Sequence, residues 1–308
     1  MIDAAVLPRV RLGSVTLSRG LVYMAASALG FSAMSMLVKL ASPRLPTGEI
    51  VLARAVVTLI VSYVMVRRAG LHPWGTQRGK LVLRGFLGFG GLAGYYAAIA
   101  LLPIADATTI HQVVPLMTAL LAWWLLDEKI GWSTLVALGC GIAGVLVIVH
   151  PSGAGLDPHG VLIALGAAVC SAFAYVTVRT LARSEHPLVI VFYFPLVATP
   201  LAIPWAAANW VTPSAIDLLL LLAIGLTTQV GQVFLTMGLA AERVGRATAV
   251  GYLQIVFAIG WQLAIFGDAP TFATIAGAAL IIGGTLVVTR FGADARAPRA
   301  PTPPTPPA

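Results

Sequence analysis

Apolar runs of membrane-spanning length alternate with short polar or proline-containing segments along most of the chain. An α-helix rises about 1.5 Å per residue, so a run of about 20 apolar residues can cross the hydrocarbon core of a bilayer. The pattern therefore predicts an all-α integral membrane protein with ten transmembrane helices. Their expected positions are residues 20–38, 49–66, 81–102, 106–129, 132–149, 160–180, 188–206, 216–239, 247–266 and 272–289.

Three segments lie outside these runs. Residues 1–19 form a short polar N-terminal segment. A signal peptide is the alternative interpretation, and it is less favoured because the following apolar run is longer than a signal-peptide core and many more runs follow. Residues 150–159 form a loop rich in proline and glycine, and residues 291–308 form a proline-rich tail. The tail lacks the apolar residues that a folded core requires, so we expect it to be disordered.

The fourth and ninth runs resemble each other at an offset of 140 positions. Both contain an Ala-Thr pair, and both end in a carboxylate, Glu128 in the first and Asp268 in the second. Two unrelated apolar runs would match by chance at Leu, Val and Ala, but less readily at Gly, Thr and charged positions. The same offset places Gly20 on Gly160, Lys39 on Arg179, Gly85 on Gly225, Gly91 on Gly231, Thr134 on Thr274 and Gly144 on Gly284.

We interpret residues 20–149 and 160–290 as two homologous repeats joined by the loop at 150–159. Each repeat has an odd number of predicted helices, so the second repeat must enter the membrane from the opposite face. Inverted repeats are typical of secondary transporters, in which the substrate binds near the midplane between the repeats. The predicted fold is therefore two inverted five-helix repeats around a central cavity.

Composition and charge agree with a membrane protein. Hydrophobic residues make up 59% of the chain, charged residues 10%, and the mean hydropathy is +0.93, whereas soluble domains are roughly 25% charged. The net charge of +8 does not indicate nucleic-acid binding, because the basic residues are scattered between apolar runs. If the N-terminus is cytoplasmic, nearly all of them, Arg84 included, lie in cytoplasmic segments, and only Lys39 and Arg44 lie opposite. The positive-inside rule therefore predicts that both termini are cytoplasmic.

Two stretches resemble the EamA-type family of the drug/metabolite transporter superfamily. They are RGFLGFGGLAGYYAAIALLPIADATTIHQVVPLMTALLAWWLLDEKI from Arg84 and GYLQIVFAIGWQLAIFGDAPTFATIAGAALIIGGTLVV from Gly251. The features that carry the resemblance are a proline in the fourth helix, an acidic pair at its end and small residues in the fifth: Pro115, Asp127, Glu128, Gly141 and Gly144. Ile255 and Asp268 depart from the family pattern in the second repeat. The resemblance implies a ten-helix transporter that moves metabolites or drugs across the bacterial inner membrane.

Arg54 is the first candidate for a substrate-binding residue. It lies about 8 Å from the outer end of the second predicted helix, where a charge is costly. One interpretation is an anchor for a carboxylate-bearing substrate through charge-assisted hydrogen bonds. The alternative is an arginine that extends to the membrane interface or pairs with Glu49 or Asp106.

His111 and Gln112 place polar groups inside the fourth predicted helix. Pro115 lacks a backbone N–H and frees the carbonyl of His111, so it predicts a helix kink next to an exposed polar patch. His111 is then a cavity residue that binds substrate or carries a proton, or a neutral histidine hydrogen-bonded between helices. We expect chiefly a hydrogen-bonding role and no obligatory proton coupling, because the nearest carboxylate in sequence, Asp106, lies at the end of the run.

Other polar and aromatic residues complete the predicted substrate cavity. Gln229 and Gln232 are three residues apart and therefore share one face of a helix. The remaining candidates are Tyr95, Tyr175, Tyr252 and Gln254.

The sequence favours a secondary transporter that exports or exchanges a small molecule, with an uptake permease as the alternative. It contains no Walker-type GxxxxGK[ST] pattern, and all the Asp and Glu residues lie at the ends of runs, in loops or in the termini. An intramembrane enzyme is the competing class, and the catalytic constellation that it would need is not seen. We predict no cofactor, no metal site and no catalytic residue, and we expect a small-molecule substrate and the lipid bilayer as partners.

Overall fold

The apolar runs are helices in the computed structural model, which describes residues 11–12, 15–16, 18–102, 110–149, 157–267 and 271–291. The helices before the linker are α1 (Arg19–Ala41), α2 (Thr47–Arg68), α3 (Arg78–Leu101), α4 (Val114–Leu126) and α5 (Trp132–Val149). Those after it are α6 (Pro158–Leu181), α7 (Pro187–Ala207), α8 (Ala215–Ala241), α9 (Val244–Val250), α10 (Leu253–Trp261), a π-helix (Gln262–Phe266) and α11 (Phe272–Phe291).

Within these described ranges, seven stretches are long and apolar enough to cross a membrane. Six of them are α1, α2, α6, α7, α8 and α11, and the seventh runs from Val244 to Ile265 through α9 and α10. Helices α4 and α5 are apolar but shorter. The chain is therefore an all-helical, multi-pass membrane protein.

Two predicted helices are broken. The one predicted at 247–266 is divided into α9, α10 and the π-helix, with a turn at residues 251–252. In the one predicted at 106–129, a turn at residues 112–113 separates the helical His111 from α4. Pro115 lies in the first turn of α4, where its missing N–H leaves no hydrogen bond unmade. The chain thus breaks just before Pro115 and does not bend smoothly around it.

The N-terminal segment contains an element that the sequence did not predict, an antiparallel pair of short strands, β1 (Arg11–Leu12) and β2 (Val15–Thr16). The expected disorder of the tail concerns residues that lie outside the described part of the chain, except for Phe291, which is the last residue of α11. Asp106 and Asp268 lie outside it as well.

Local capping explains where several helices begin. The side chain of Asp157 accepts the backbone N–H groups of His159 and Gly160, and Pro158 opens α6. Ser214 and Asp217 form a reciprocal capping box at the start of α8. These caps satisfy N–H groups that a helix end leaves without partners.

Each long helix packs mainly on a helix of the other half. Helix α1 packs on α8, α2 on α7, α3 on α6, and α5 on α11. Glycines allow several of these close approaches, and at the α1–α8 crossing Gly30 lies against the backbone of Gly231. Small residues at helix crossings let two backbones approach closely, which is a common device in membrane helix packing.

Three of these glycine contacts recur when the two halves are exchanged at the offset of 140. A Cβ on Gly85 would collide with Val197, and a Cβ on Gly225 would collide with Val57. Gly20 lies against Glu242, and its counterpart Gly160 lies against Leu102. In the same way Gly144 lies against Gly277, and Gly284 against Ala137. In each case, a contact from residue i to residue j is repeated by residues i + 140 and j − 140.

Candidate substrate cavity

A cavity lies between the two halves, next to both breaks in the helices. It encloses about 80 Å³, enough for a few water molecules, whereas ligand pockets usually measure some 300–1,000 Å³. Helices must therefore move apart before a metabolite can occupy it. Its lining residues come from both halves: Met24, Ser27, Ala28, Phe31, His111, Val114, Pro115, Tyr175, Leu235, Thr248, Gly251 and Gln254.

Three of the residues predicted from the sequence, His111, Tyr175 and Gln254, line this cavity, as does Pro115. The ring of His111 packs on that of Tyr95, with 4.4 Å between the ring centroids. The Nδ1 atom of His111 is buried and has no hydrogen-bond partner within the described part of the chain. Tyr95 contacts the histidine ring but is not among the residues that line the cavity.

Gln112 and Tyr252 meet each other outside the cavity lining. The hydroxyl of Tyr252 donates to the backbone carbonyl of Gln112 at 2.8 Å, and the Tyr252 ring packs on Gly141 of α5. Tyr252 is 2% exposed, and neither residue lines the cavity. The aromatic ring packs against α5, and the two residues join the breaks in the two helices. Their role in substrate binding stays a prediction.

Gln229 and Gln232 lie one turn apart on α8 and contact different helices. The Oε1 atom of Gln229 accepts from Ser62 of α2 at 3.0 Å, so this side chain is a buried interhelical contact. The Oε1 atom of Gln232 accepts from Arg84 of α3 at 3.3 Å. Neither glutamine lines the cavity, although Leu235, one turn from Gln232, does.

Arg54 is buried on α2, with Nη1 3.6 Å from the sulfur of Met34 on α1. It does not line the cavity. The sequence offered Glu49 as a partner, but a carboxylate oxygen of Glu49 accepts the backbone N–H of Val211 at 3.2 Å, and no ion pair between Arg54 and Glu49 is found. The other proposed partner, Asp106, lies outside the described residues.

Arg84 is a buried residue that the sequence analysis did not select for the cavity. The sequence analysis groups it with the cytoplasmic charges. However, α3 begins at Arg78, so Arg84 lies about 9 Å into the helix, and it is only 2% exposed. Its guanidinium carbon lies 4.8 Å from the centroid of the Phe194 ring. The signal that could have found it is the helical continuity from residue 78 onward.

Ion pairs join several helices at one end of the bundle. Arg179 of α6 binds Glu128 with an N–O distance of 3.1 Å and also donates to the backbone carbonyls of Leu239 and Ala240. The other carboxylate oxygen of Glu128 accepts the N–H of Val244 at 2.8 Å. This cluster joins the ends of α4, α6, α8 and α9.

A second pair at the same end links Arg246 to Glu242 at 3.2 Å. Glu242 also accepts from the hydroxyl of Ser18, and Arg246 donates to the carbonyl of Val288. The ends of α1, α8, α9 and α11 are thereby held together. Among the described residues no group of His, Cys, Asp and Glu could hold a metal ion.

The chain matches the model of the EamA-like transporter family twice, over residues 18–150 and 158–290. It is 34% identical over 275 residues to the pseudopaline exporter CntI of Pseudomonas aeruginosa (strain UCBPP-PA14), covering 89% of this chain and 97% of that protein. It is 32% identical over 288 residues to solute carrier family 35 member G1 of Mus musculus, covering 88% and 78%. It is 28% identical over 277 residues to the S-adenosylmethionine uptake transporter of Rickettsia prowazekii (strain Madrid E), covering 89% and 93%.

A crystal structure of another protein superposes on this chain with a TM-score of 0.75. The two sequences are 22% identical, and the alignment covers 86% of this chain and 96% of that one. This likeness establishes that the two chains share a fold.

Proposed function

Because the chain belongs to the EamA-like transporter family, we propose that it is a secondary transporter that exports or exchanges a small metabolite by alternating access. The family and the transporter function predicted from the sequence are confirmed, and the relatives are transporters by name, which disfavours an intramembrane enzyme. The observation that carries the proposal is the cavity between the halves, which is too small in this conformation to hold a metabolite. Both halves contribute to its lining, so a rocking motion of one half against the other would open it.

The proposed architecture is ten spans in two inverted repeats, at residues 20–149 and 160–290. The reciprocal glycine contacts support a two-fold relation between the halves, because the same contacts return when the halves are exchanged. Five spans per repeat would invert the second repeat, and the distribution of basic residues would then place both termini in the cytoplasm and the chain in the inner membrane. Reporter fusions after Ala69 and Gly155 should report opposite sides of the membrane. Equal readouts would contradict the inversion.

The chemical identity of the cargo is proposed only at the level of a small polar metabolite. One relative is named a pseudopaline exporter and another an S-adenosylmethionine uptake transporter, so the two names indicate opposite directions of transport. Export or exchange is the leading proposal, since the exporter shares 34% identity with this chain. Uptake is the second candidate, favoured by the similarity to the uptake transporter.

Metabolite profiling of bacteria that express the chain tests transport even while the cargo is unidentified. The comparison is with Ala28→Phe, which adds a ring to a cavity-lining position, and with Leu222→Trp at an exposed position on α8 as the matched control. We expect at least one small metabolite to fall inside the cells and rise in the medium with the native chain and Leu222→Trp, but not with Ala28→Phe. A rise inside the cells would indicate uptake, and identical profiles at equal membrane yield would contradict transport.

A further inference from the structure

Arg84 brings a positive charge into the helix bundle with few partners. Its Nη2 atom donates to Gln232 at 3.3 Å, and its plane lies near the Phe194 ring. The single N–H of Nε and both N–H groups of Nη1 are buried without a hydrogen-bond partner among the described residues. A guanidinium does not lose its proton in a protein, so the charge remains. Burying such a group without a counter-charge is costly unless a partner arrives at some stage of function.

No carboxylate in the described part of the chain neutralises Arg84. The ion pairs found there use Arg44, Arg179 and Arg246. The partners of Arg84 are a neutral amide and an aromatic ring. The N–H groups of Nε and Nη1 are therefore available to bind a negatively charged group.

The position of Arg84 connects it to the cavity. Its hydrogen-bond partner Gln232 lies one turn from Leu235, a lining residue. Gln232 also follows Gly231, whose carbonyl accepts from the lining residue Ser27 at 2.9 Å. Arg84 thus lies one hydrogen bond from the helix that carries the lining residue Leu235, and a separation of α3 from α8 would bring it toward the cavity.

We propose that Arg84, assisted by Gln232, binds a carboxylate group of the transported molecule. This inference rests on the proposed transport function and specifies its substrate class as a carboxylate-bearing metabolite. A single guanidinium among neutral partners matches the single charge of a carboxylate, whereas a doubly charged phosphate would retain excess negative charge in the bundle. The charge-assisted hydrogen bonds from Nε and Nη1 would satisfy the donors that are unpaired in the closed state.

The test measures the charge preference of the cavity and does not require transport. Ser27→Cys is introduced as a reporter in a background with Cys140→Ala and Cys170→Ala, and the reconstituted protein is labelled with an anionic and a cationic methanethiosulfonate. We expect the ratio of the anionic to the cationic rate constant to fall about tenfold in Arg84→Gln, because the nearby charge attracts one reagent and repels the other. Arg84→Lys should largely restore the ratio, and Arg67→Gln, which removes an exposed charge, should leave it unchanged.

Sodium acetate then tests for a carboxylate site, with acetamide as the neutral control and sodium chloride and inorganic phosphate at equal ionic strength. We expect acetate to slow labelling at least twofold with Arg84 and to have no such effect in Arg84→Gln. An unchanged rate ratio in Arg84→Gln would overturn the proposal, and so would protection by phosphate or chloride equal to that by acetate. Failure of transport with the charge preference intact would count against the proposed function alone.

Discussion

Gly85 and its counterpart Gly225, 140 positions later, make the same contact with the opposite half, whereas Arg84, one residue earlier, has Ile224 as its counterpart. The same contrast is found around the cavity. His111 has Gly251 as its counterpart, and Tyr175 has Ser35. These two packing positions carry glycine in both halves, whereas Arg84, His111 and Tyr175 each have a different residue type at the counterpart position. The two halves can therefore pack in the same way while they contribute different side chains to the site.

The largest expected effect is a loss of stability when a larger side chain replaces glycine at either of the two equivalent packing positions. Gly85→Val and Gly225→Val should each destabilise the protein by about 3 kcal/mol, because the new side chains collide with Val197 and Val57 respectively. Unfolding in detergent measures the loss. Gly139→Ala is the matched control, since no atom lies within 4 Å of the added Cβ, and it should be neutral or slightly stabilising.

The two positions should also be rescued in the same way. Combining Gly85→Ala with Val197→Gly, and Gly225→Ala with Val57→Gly, removes the nearest colliding atoms on each side, because the Cβ atoms of the two valines are among them. We expect both double variants to be more stable than the corresponding single glycine variants. Rescue of one pair only would show that the halves do not pack equivalently.

The ion pair between Arg179 and Glu128 should stabilise the contact between the two halves at one end of the bundle. Glu128→Gln should destabilise the closed state by about 2 kcal/mol, because Arg179 keeps its buried charge and loses its counter-charge. The expected signs are a lower unfolding midpoint and faster labelling of a cysteine at Ser27. The double variant Glu128→Gln with Arg179→Gln should recover part of the loss, and additive losses would rule out a coupled pair.

A smaller effect is expected in the loop between α6 and α7, where Glu185 has the apolar Leu45 as its counterpart. Glu185 Oε1 accepts the backbone N–H groups of Thr76 and Gln77 and the hydroxyl of Thr76. Burial alone would raise the pKa of Glu185, but these hydrogen bonds outweigh it and hold the pKa below its ordinary value. The ionised side chain therefore stabilises the loop above the unfolded-state pKa, and this contribution disappears as pH falls through the lowered value.

Glu185→Gln should accordingly cost about 1 kcal/mol at neutral pH. The difference from the native chain should shrink as acid protonates Glu185, and unfolding measured between neutral pH and about pH 3 checks this. A loss that does not vary with pH would show that the ionised carboxylate is not the stabilising group. Leu45→Gln, at the counterpart position, should produce no comparable pH dependence.

The smallest effect is expected at His111. Its Nδ1 has no described carboxylate partner, so we expect it to act as a hydrogen-bonding cavity residue rather than a proton carrier. Transport by His111→Gln should stay within about threefold of native and should keep the same dependence on pH, since glutamine retains hydrogen-bonding groups. A substrate-driven pH change in vesicles that disappears in His111→Gln, with substrate binding retained, would contradict this expectation.

Sequence reasoning reached the all-helical membrane class and the family because both depend on local signals. Run length gives the membrane class, and the glycines and Pro115 carry the family pattern. It counted Arg84 with the cytoplasmic charges although the predicted helix at 81–102 contains it, because sequence position alone does not show that this side chain is buried against Phe194. The contact between Tyr252 and Gln112 could not be predicted, since no local signal shows that this hydroxyl reaches the other half.

The hydrogen bond between Tyr252 and Gln112 has a consequence for how such a chain can evolve. The two residues are separated by 140 positions, so each occupies the same place in its own half. In an assembly of two identical half-length chains, the residue at this position would contact the same residue of the other chain. Both chains would then have to carry the same side chain there. Fusion into one gene removes that restriction, so one copy can retain a tyrosine while the other has a glutamine.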